Sequence, residues 1–371
     1  MDLRSALLRA AVGCPHALVV PAPGTDRLRA RVEQELARRR WPIASAPADA
    51  DLVVVVGRPG RELAAVVDDI WVGVPAPRTL VRIADEDEVA AALDGVVRRL
   101  ADADAQRAAA SRSGSRARPP DPSPGGRSHG DGGHDELGPG EHDDHSAHTA
   151  SDGGHHHHGG GMELPGGLAM ADLGEDRDGL ALDQLHVSLG PVLPEWPSGL
   201  VIDVVLQGDV IQEARSRFLD LDEQGATERL PDAARALDTA ARVLALAGWE
   251  GPAARARGLR DALLSGADTA HVPEELDDLR RRVRRSRLLR WTFRSAGAGR
   301  SEILDALDDV LASAGVAVAG TGEEGHVGID LATLDARLVG AQFAAARLVV
   351  AVADPQPRPA PDLPTAPGGA S

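Results

Sequence analysis

The sequence predicts an α/β chain in two structured parts. An N-terminal three-layer parallel-sheet domain is expected over residues 1–105, and a C-terminal α+β domain, a β-hairpin plus a helical bundle, over residues 162–354. Three observations predict this. Before residue 105, short apolar runs alternate with amphipathic segments, the signature of βαβ units around a parallel sheet. Between 106 and 161 the composition collapses to Gly, Pro, Ser, Asp and His. Such a stretch has too little apolar surface to offset its ordering entropy, so this His-rich linker is expected to be disordered, as is the Pro-rich tail at 355–371. Beyond the linker, an alternating run Leu200–Leu206 leads to Gln207-Gly208-Asp209, a hairpin tip, and helical periodicity dominates from Pro231 onward.

Ala17–Pro21 reads as a buried strand. Asp26 can start a helix in which Leu28, Val32 and Leu36 share one face and which Trp41-Pro42 ends. Leu52–Gly57 is a second buried strand, Gly60–Asp69 a short helix and Thr79–Ile83 a third strand. Asp85–Asp104 reads as one closing helix, with acids in its first turn and Arg98 and Arg99 near its end, as the helix dipole favours. In the second part Leu164–Asp183 is turn-rich and acidic, and Val210–Ala214 is the return strand of the hairpin. Helices are expected at Pro231–Ala247, Gly251–Leu264, Pro273–Phe293, Arg300–Ala314 and Asp330–Val352. The last is capped by Asp330 and apolar around much of its circumference, which makes it central to the core.

With 43% hydrophobic residues, the chain can bury substantial cores. A net charge of −17 disfavours broad contact with nucleic acid or an anionic bilayer, because like-charged fields repel at long range. Cys14 is the single cysteine, so this chain alone forms no disulfide framework and no all-cysteine cluster, which fits a reducing cytoplasm. The first 18 residues lack the apolar core of an export signal. The apolar stretch Leu338–Ala353, interrupted by Gln342 and Arg347, is too short to span a bilayer.

Several motifs have a plain structural reading. Gly320-Thr-Gly-Glu-Glu-Gly325 has G-x-G-x-x-G spacing, but its two glutamates would repel a pyrophosphate, so it reads as a turn. Glu175-Asp176-Arg177-Asp178-Gly179 lacks the first aspartate and the bidentate glutamate of a calcium loop and reads as a turn and cap. Arg280–Arg290 carries seven arginines beside Trp291, with Leu276, Leu279, Val283 and Leu288 as an apolar stripe and acids one turn earlier. A solvated face with intrahelical ion pairs is the simplest account, and Arg281, Arg284, Arg285 and Arg287 are the residues expected to dock an acidic partner. His186, His271 and His326 have no nucleophile partner at informative spacing.

The histidines are concentrated. Nine of the 13 lie between 129 and 158, among them His142, His145, His148, His155, His156, His157 and His158. Neutral imidazoles interspersed with aspartates are expected to bind nickel, zinc or copper weakly and without a fixed geometry.

Two sets of residues carry a resemblance. Ala48-Asp49-Ala50-Asp51-Leu52-Val53-Val54-Val55-Val56-Gly57, followed by Val74-Pro75-Ala76-Pro77-Arg78-Thr79-Leu80-Val81, is similar to the small cluster-bearing subunit of respiratory complex I and nickel-iron hydrogenases. Leu185–Pro194 followed by Gly199–Val210 resembles the N-terminal hairpin of the large quinone-site subunit. More loosely, Arg255–Leu264 and the Arg-rich helix resemble that subunit's bundle helices, and Leu338–Val352 its last helix. The resemblance implies a vestigial cluster position at Cys14, with Pro15 beside it and Ala84-Asp85-Glu86 where further cysteines would stand. It also implies a quinone-loop remnant at Gly190, Pro191, Leu193 and Pro194, in which Leu193 replaces the histidine that reaches toward the quinone headgroup.

The expectation is therefore a degenerate fusion of the two subunits that holds no cofactor by itself. It would be an accessory subunit, on the cytoplasmic face, of the membrane subunits of a complex I-like or hydrogenase-like proton-translocating assembly, with no span of its own and no nucleic acid. Two alternatives stay open. One is a metallochaperone or assembly factor using the histidine tract, for which deletion of 129–158 lowers a client's metal content. The other is an oxidoreductase subunit whose redox centre is supplied by a partner.

Overall fold

A computed structural model describes residues 12–116, 172–175, 181–221, 229–266, 269–295, 302–320 and 328–357. Three parallel strands, β1 (Ala17–Pro21), β2 (Leu52–Val56) and β3 (Thr79–Ile83), form a sheet in the order β1-β2-β3. Strand side chains alternate faces, and both faces here are apolar. On one side, Leu52, Val54, Val56 and Ile83 pack against Leu28, Val32 and Leu36 of α1 (Asp26–Arg39) and against Val89 and Leu93 of α3 (Val89–Asp94). On the other, Leu18, Val20, Val53 and Val55 meet Leu63 and Val67 of α2 (Arg61–Gly73). The sheet is thus the middle layer of three.

The expected closing helix at 85–104 is broken. After α3 the chain re-forms α4 (Val96–Ala101) beyond Gly95, and then α5 (Ala103–Arg116). Asp102 leaves helical geometry, and its carboxylate accepts from the Ala105 amide at 3.0 Å. A short acidic side chain competes with the helix for backbone donors in this way and restarts it. Helix α5 also carries order to Arg116, beyond residue 106 where composition places the start of the linker.

The second part begins with a four-stranded antiparallel sheet, β4 (Asp172–Glu175), β5 (Ala181–Leu189), β6 (Leu200–Gln207) and β7 (Val210–Phe218). Gly208 and Asp209 make the β6–β7 turn, as the sequence indicates, while β7 runs four residues past the expected return strand. The helices follow: α6 (Asp232–Leu246), α7 (Glu250–Ser265), α8 (Val272–Arg285), α9 (Arg287–Ser295), α10 (Glu302–Val318), α11 (Leu331–Leu338) and α12 (Phe343–Ala353). Helices α6 to α10 surround one core containing Leu237, Val243, Leu276, Phe293, Leu307 and Leu311. Helices α11 and α12 pack Leu334, Leu338, Ala346 and Val350 against Leu200, Ile202, Val204 and Ile211 of the second sheet.

Two expected long helices are each split in two. The segment 273–293 breaks at Ser286, whose backbone is extended and whose hydroxyl accepts from the Leu289 amide at 3.1 Å, capping the next helix. Leu288 is therefore 59% exposed, and Leu289 takes its expected place in the core. The segment 330–352 begins at the predicted cap, where Asp330 accepts from the Thr333 amide. It then breaks at 339–342, because the hairpin captures that backbone: Gly340 N donates to Ile211 O at 2.8 Å, Ile211 N to Ala341 O at 3.0 Å and Phe343 N to Asp209 O at 2.7 Å. An edge strand with free backbone groups outcompetes continuation of the helix. The run Val316–Ala319 ends helix α10 and is no strand, so the glycine motif that follows lacks the strand a dinucleotide fold requires; its residues 321–327 lie outside those described.

The described residues before 112 and after 171 cluster as one compact unit. Val201, Leu219 and the half-buried Val192 join the sheet face formed by Leu18, Val20, Val53 and Val55, and Ala30 of α1 packs with Ala234 and Leu230. Among the described residues, no helix is long and apolar enough to cross a membrane.

Candidate functional site: the seam between the two parts

The two parts are joined first by a cap. Helix α2 starts after Gly60 with no capping side chain of its own. Asp220, just past β7, supplies it from 158 residues away: one carboxylate oxygen accepts from the Glu62 amide at 2.8 Å, the other from the Leu63 amide at 3.0 Å. Glu62 answers by accepting from the Asp220 amide at 3.1 Å. This is the reciprocal logic of a capping box, distributed over two distant segments. Asp220→Ala is expected to lower stability by about 1–2 kcal/mol, as read by urea unfolding. An unchanged midpoint would remove this cap from the account of the seam. Gly199 lies next to the same contact, with φ +70° and so little room that a Cβ would stand 2.2 Å from Cγ of Pro23.

The second join is ionic. Asp238 of α6, 1% exposed, accepts from Arg29 of α1 at 2.7 Å, from Arg242 at 2.9 Å and from Arg260 of α7 at 2.5 Å. Glu33 of α1 accepts from Arg29 at 2.6 Å and from Arg260 at 2.9 Å. Arg242 continues to Asp354 at 3.0 Å, and Arg260 to Asp261 at 2.9 Å. A guanidinium presents a planar fork of five donors, which is why arginine can serve two or three carboxylates at once.

Burial and pairing pull these carboxyls in opposite directions. Burial pushes Asp238 up, but the Arg29, Arg242 and Arg260 guanidiniums outweigh it and hold the group well below the usual carboxylate range. For Glu33 burial likewise raises the value, and Arg29 with Arg260 brings it below normal. Burial prevails at Glu195 against Arg257, at Asp261 against Arg260, and at Asp354 against Arg242 and Arg235, so all three are raised. A depressed carboxyl adds stability above its unfolded value, about 4, and loses it as pH falls through the folded value. A raised carboxyl does the reverse: its contribution is present below the unfolded value and is lost as pH rises through the folded one. Both contributions are in place only around the unfolded value, so these groups are expected to make the melting temperature highest at about pH 4 to 5, near the unfolded carboxyl value, and lower toward neutral pH, with that decline flatter in Glu195→Gln. A melting temperature that climbs steadily from acid to neutral pH in both proteins would contradict this assignment.

Against the ionic join lies a crevice of about 90 Å³. Its apolar wall is Leu18, Ile43, Pro191, Val192, Leu193 and Pro194, and its floor is the Arg29, Glu33, Asp238 and Arg242 network. The loop 190–196 is held from both sides. Gly190 has φ +89°, and Trp196 Nε1 donates to Leu200 O at 2.8 Å across it. Arg257 pairs with Glu195, and Arg347 donates to Pro194 O.

The sequence-predicted site residues fall in three places. Pro191, Leu193 and Pro194 line the crevice, with Gly190 shaping their loop. Cys14 is exposed, its thiol donating to Arg40 O at 3.1 Å, and it does not line the crevice. One thiolate does not fit a four-iron cluster, which takes four. Arg281 and Arg285 line a different basin on α8, Arg284 stands 3.9 Å from Asp308, and Arg287 opens α9 on the surface. The histidines from 129 to 158 lie outside the described residues, as do 176–180 of the acidic stretch. Among the described residues, no group of three or more His, Cys, Asp or Glu is placed to hold a metal.

The residues sequence reasoning missed are Arg29, Glu33, Asp238, Arg242, Arg260 and Asp354. Their signal was present: Asp238 and Arg242 stand four apart within the apolar stripe of α6, between Leu237 and Val243, where a solvent-facing helix has no reason to place charge. No family model, no curated protein and no solved structure matches this chain.

Proposed function

We propose that this protein is an accessory subunit or assembly factor of a membrane-associated complex similar to respiratory complex I or the related hydrogenases, acting at the cytoplasmic face through its partners. The observation that carries this reading is the seam. The Gly190–Trp196 loop, where the resemblance puts the quinone-facing turn, lies against the sheet of the cluster-subunit-like part, and the space between them is small and floored by paired charges. The Leu193 side chain offers this crevice no polar atom, and Asp238 already has three arginine donors. In this reading the two-part scaffold is kept for its packing and its outer surfaces, and its chemistry is left to neighbouring subunits.

The test is affinity isolation from gently solubilised native membranes of the organism that encodes the chain. Co-purification with integral membrane subunits and redox-active partners is the expected result. Recovery only as a free monomer in the soluble fraction would defeat the proposal.

A further inference from the structure

We infer that the basin where α8 meets α9 is a docking site for an acidic, leucine-bearing segment of a partner protein. The basin, about 490 Å³, is lined by Trp249, Arg255, Asp278, Arg281, Arg282 and Arg285. Its cations are unevenly compensated. Arg281 pairs with Asp278, and Arg255 lies 3.4 Å from Glu275 and 3.9 Å from Asp278. Arg282 and Arg285 are exposed and have no carboxylate partner among the described residues. On the flank of the same helix, Arg280 makes a two-pronged pair with Asp308 at 2.8 and 2.9 Å, and in the seam Arg29, Arg242 and Arg260 share Asp238. The basin is therefore a local excess of positive charge on a chain of net charge −17. An acidic partner segment is repelled by most of this surface and attracted here, which sets both where it lands and in which register.

The next helix, which starts directly after Ser286 of the basin's lining, carries exposed apolar side chains close by in sequence, outside that lining. In α9, Leu289 and Phe293 are buried, while Leu288 and Trp291, three apart and so on one face, are 59% and 66% exposed. The few residues that dominate binding energy in protein interfaces are enriched in arginine and tryptophan, together with tyrosine. A row of arginines followed by an exposed leucine and indole therefore fits a segment that alternates carboxylates with apolar side chains. An anionic lipid surface or an RNA strand would also seek arginines. Asp278 among the lining residues and the strongly acidic whole favour a short acidic peptide over an extended polyanion.

The probe is a fluorescein-labelled synthetic peptide of alternating glutamate and leucine, followed by anisotropy with the full-length protein at several salt concentrations. Saturable binding that weakens with salt is expected, with the Arg282→Glu/Arg285→Glu double variant at least about tenfold weaker and Trp291→Ala weaker by a smaller factor. Both variants alter exposed side chains outside the seam, and an unchanged thermal melt verifies their folding. Equal affinity of the double variant and the parent would overturn the inference. So would binding of phosphatidylserine vesicles or of oligouridylate in place of the peptide, or equal binding of the peptide with glutamine for glutamate. The inference deepens the accessory-subunit reading by naming a docking face. The assay uses no membrane, so its failure leaves that reading standing, and the membrane isolation can fail without touching the basin.

Discussion

Asp238→Asn is expected to lower the stability of the chain by about 3–5 kcal/mol, because it leaves buried arginines without their shared counter-ion. The substitution preserves shape, so the loss reports charge and not a cavity. Asp238 is 1% exposed, and the three arginines it serves come from α1, α6 and α7. Arg260, also 1% exposed, retains Glu33 and Asp261, whereas Arg29 keeps only Glu33 and a more distant Asp26 at 3.5 Å. The damage should therefore concentrate on the α1 side of the seam. Urea unfolding measures the total, and hydrogen exchange in α1 and α6 locates it. A loss below about 1 kcal/mol, the range of exposed ion pairs, would mean that water reaches the network and that the seam is held by its apolar contacts alone. A buried network of this kind does not by itself make a protein stable. Replacing Asp238, Arg29, Glu33 and Arg260 together by apolar residues of similar volume is expected to recover most of the loss, since the desolvation cost disappears with the charges; Glu33 must go with its two arginine donors, and Arg242 keeps Asp354.

The parts of the fold that could be read in advance are those where one strong local signal decides. The run Leu52–Val56 is too apolar and too β-branched to be anything but a buried strand, and Gly208-Asp209 between alternating runs fixes the β6–β7 turn. Asp330 was identifiable as a cap because its side chain acts on its own next turn. What could not be read depends on partners remote in sequence. The break at 339–342 exists because Ile211 and Asp209 offer backbone groups there, and the start of α2 is capped by a residue 158 positions away. Ser286 and Asp102 are intermediate cases, in which a short polar side chain restarts a helix that hydrophobic periodicity alone runs straight through. For the candidate site, the loop 190–194 was marked by its Gly-Pro pattern. The charges beneath it were hidden because arginines and carboxylates on helices ordinarily face water, and only Asp238 and Arg242, set inside an apolar stripe, betray the exception.

Phe293→Ala is expected to cost about 3 kcal/mol or more, the usual range for a large aromatic removed from a packed core. Its ring is fully buried in the cluster formed by Leu276, Leu279, Val283, Leu289, Ile303 and Leu307, and it is one of only three phenylalanines in the chain. Helix α9 has nine residues, far fewer than an isolated helix needs to persist in water. Leu289 and Phe293 are the buried apolar side chains that hold it, so their loss should free α9 before the bundle as a whole unfolds. Hydrogen exchange is then expected to show early loss of protection in 287–293, while Trp291→Ala, altering an indole that is 66% exposed, shifts stability by no more than about 0.5 kcal/mol. The pair of variants separates the two faces of one short helix. Phe293 acts by anchoring the segment, and Trp291 acts only when something docks on it. If Trp291→Ala destabilised the free protein as much as Phe293→Ala does, the indole would be part of the chain's own core, and no face of α9 would remain for a partner.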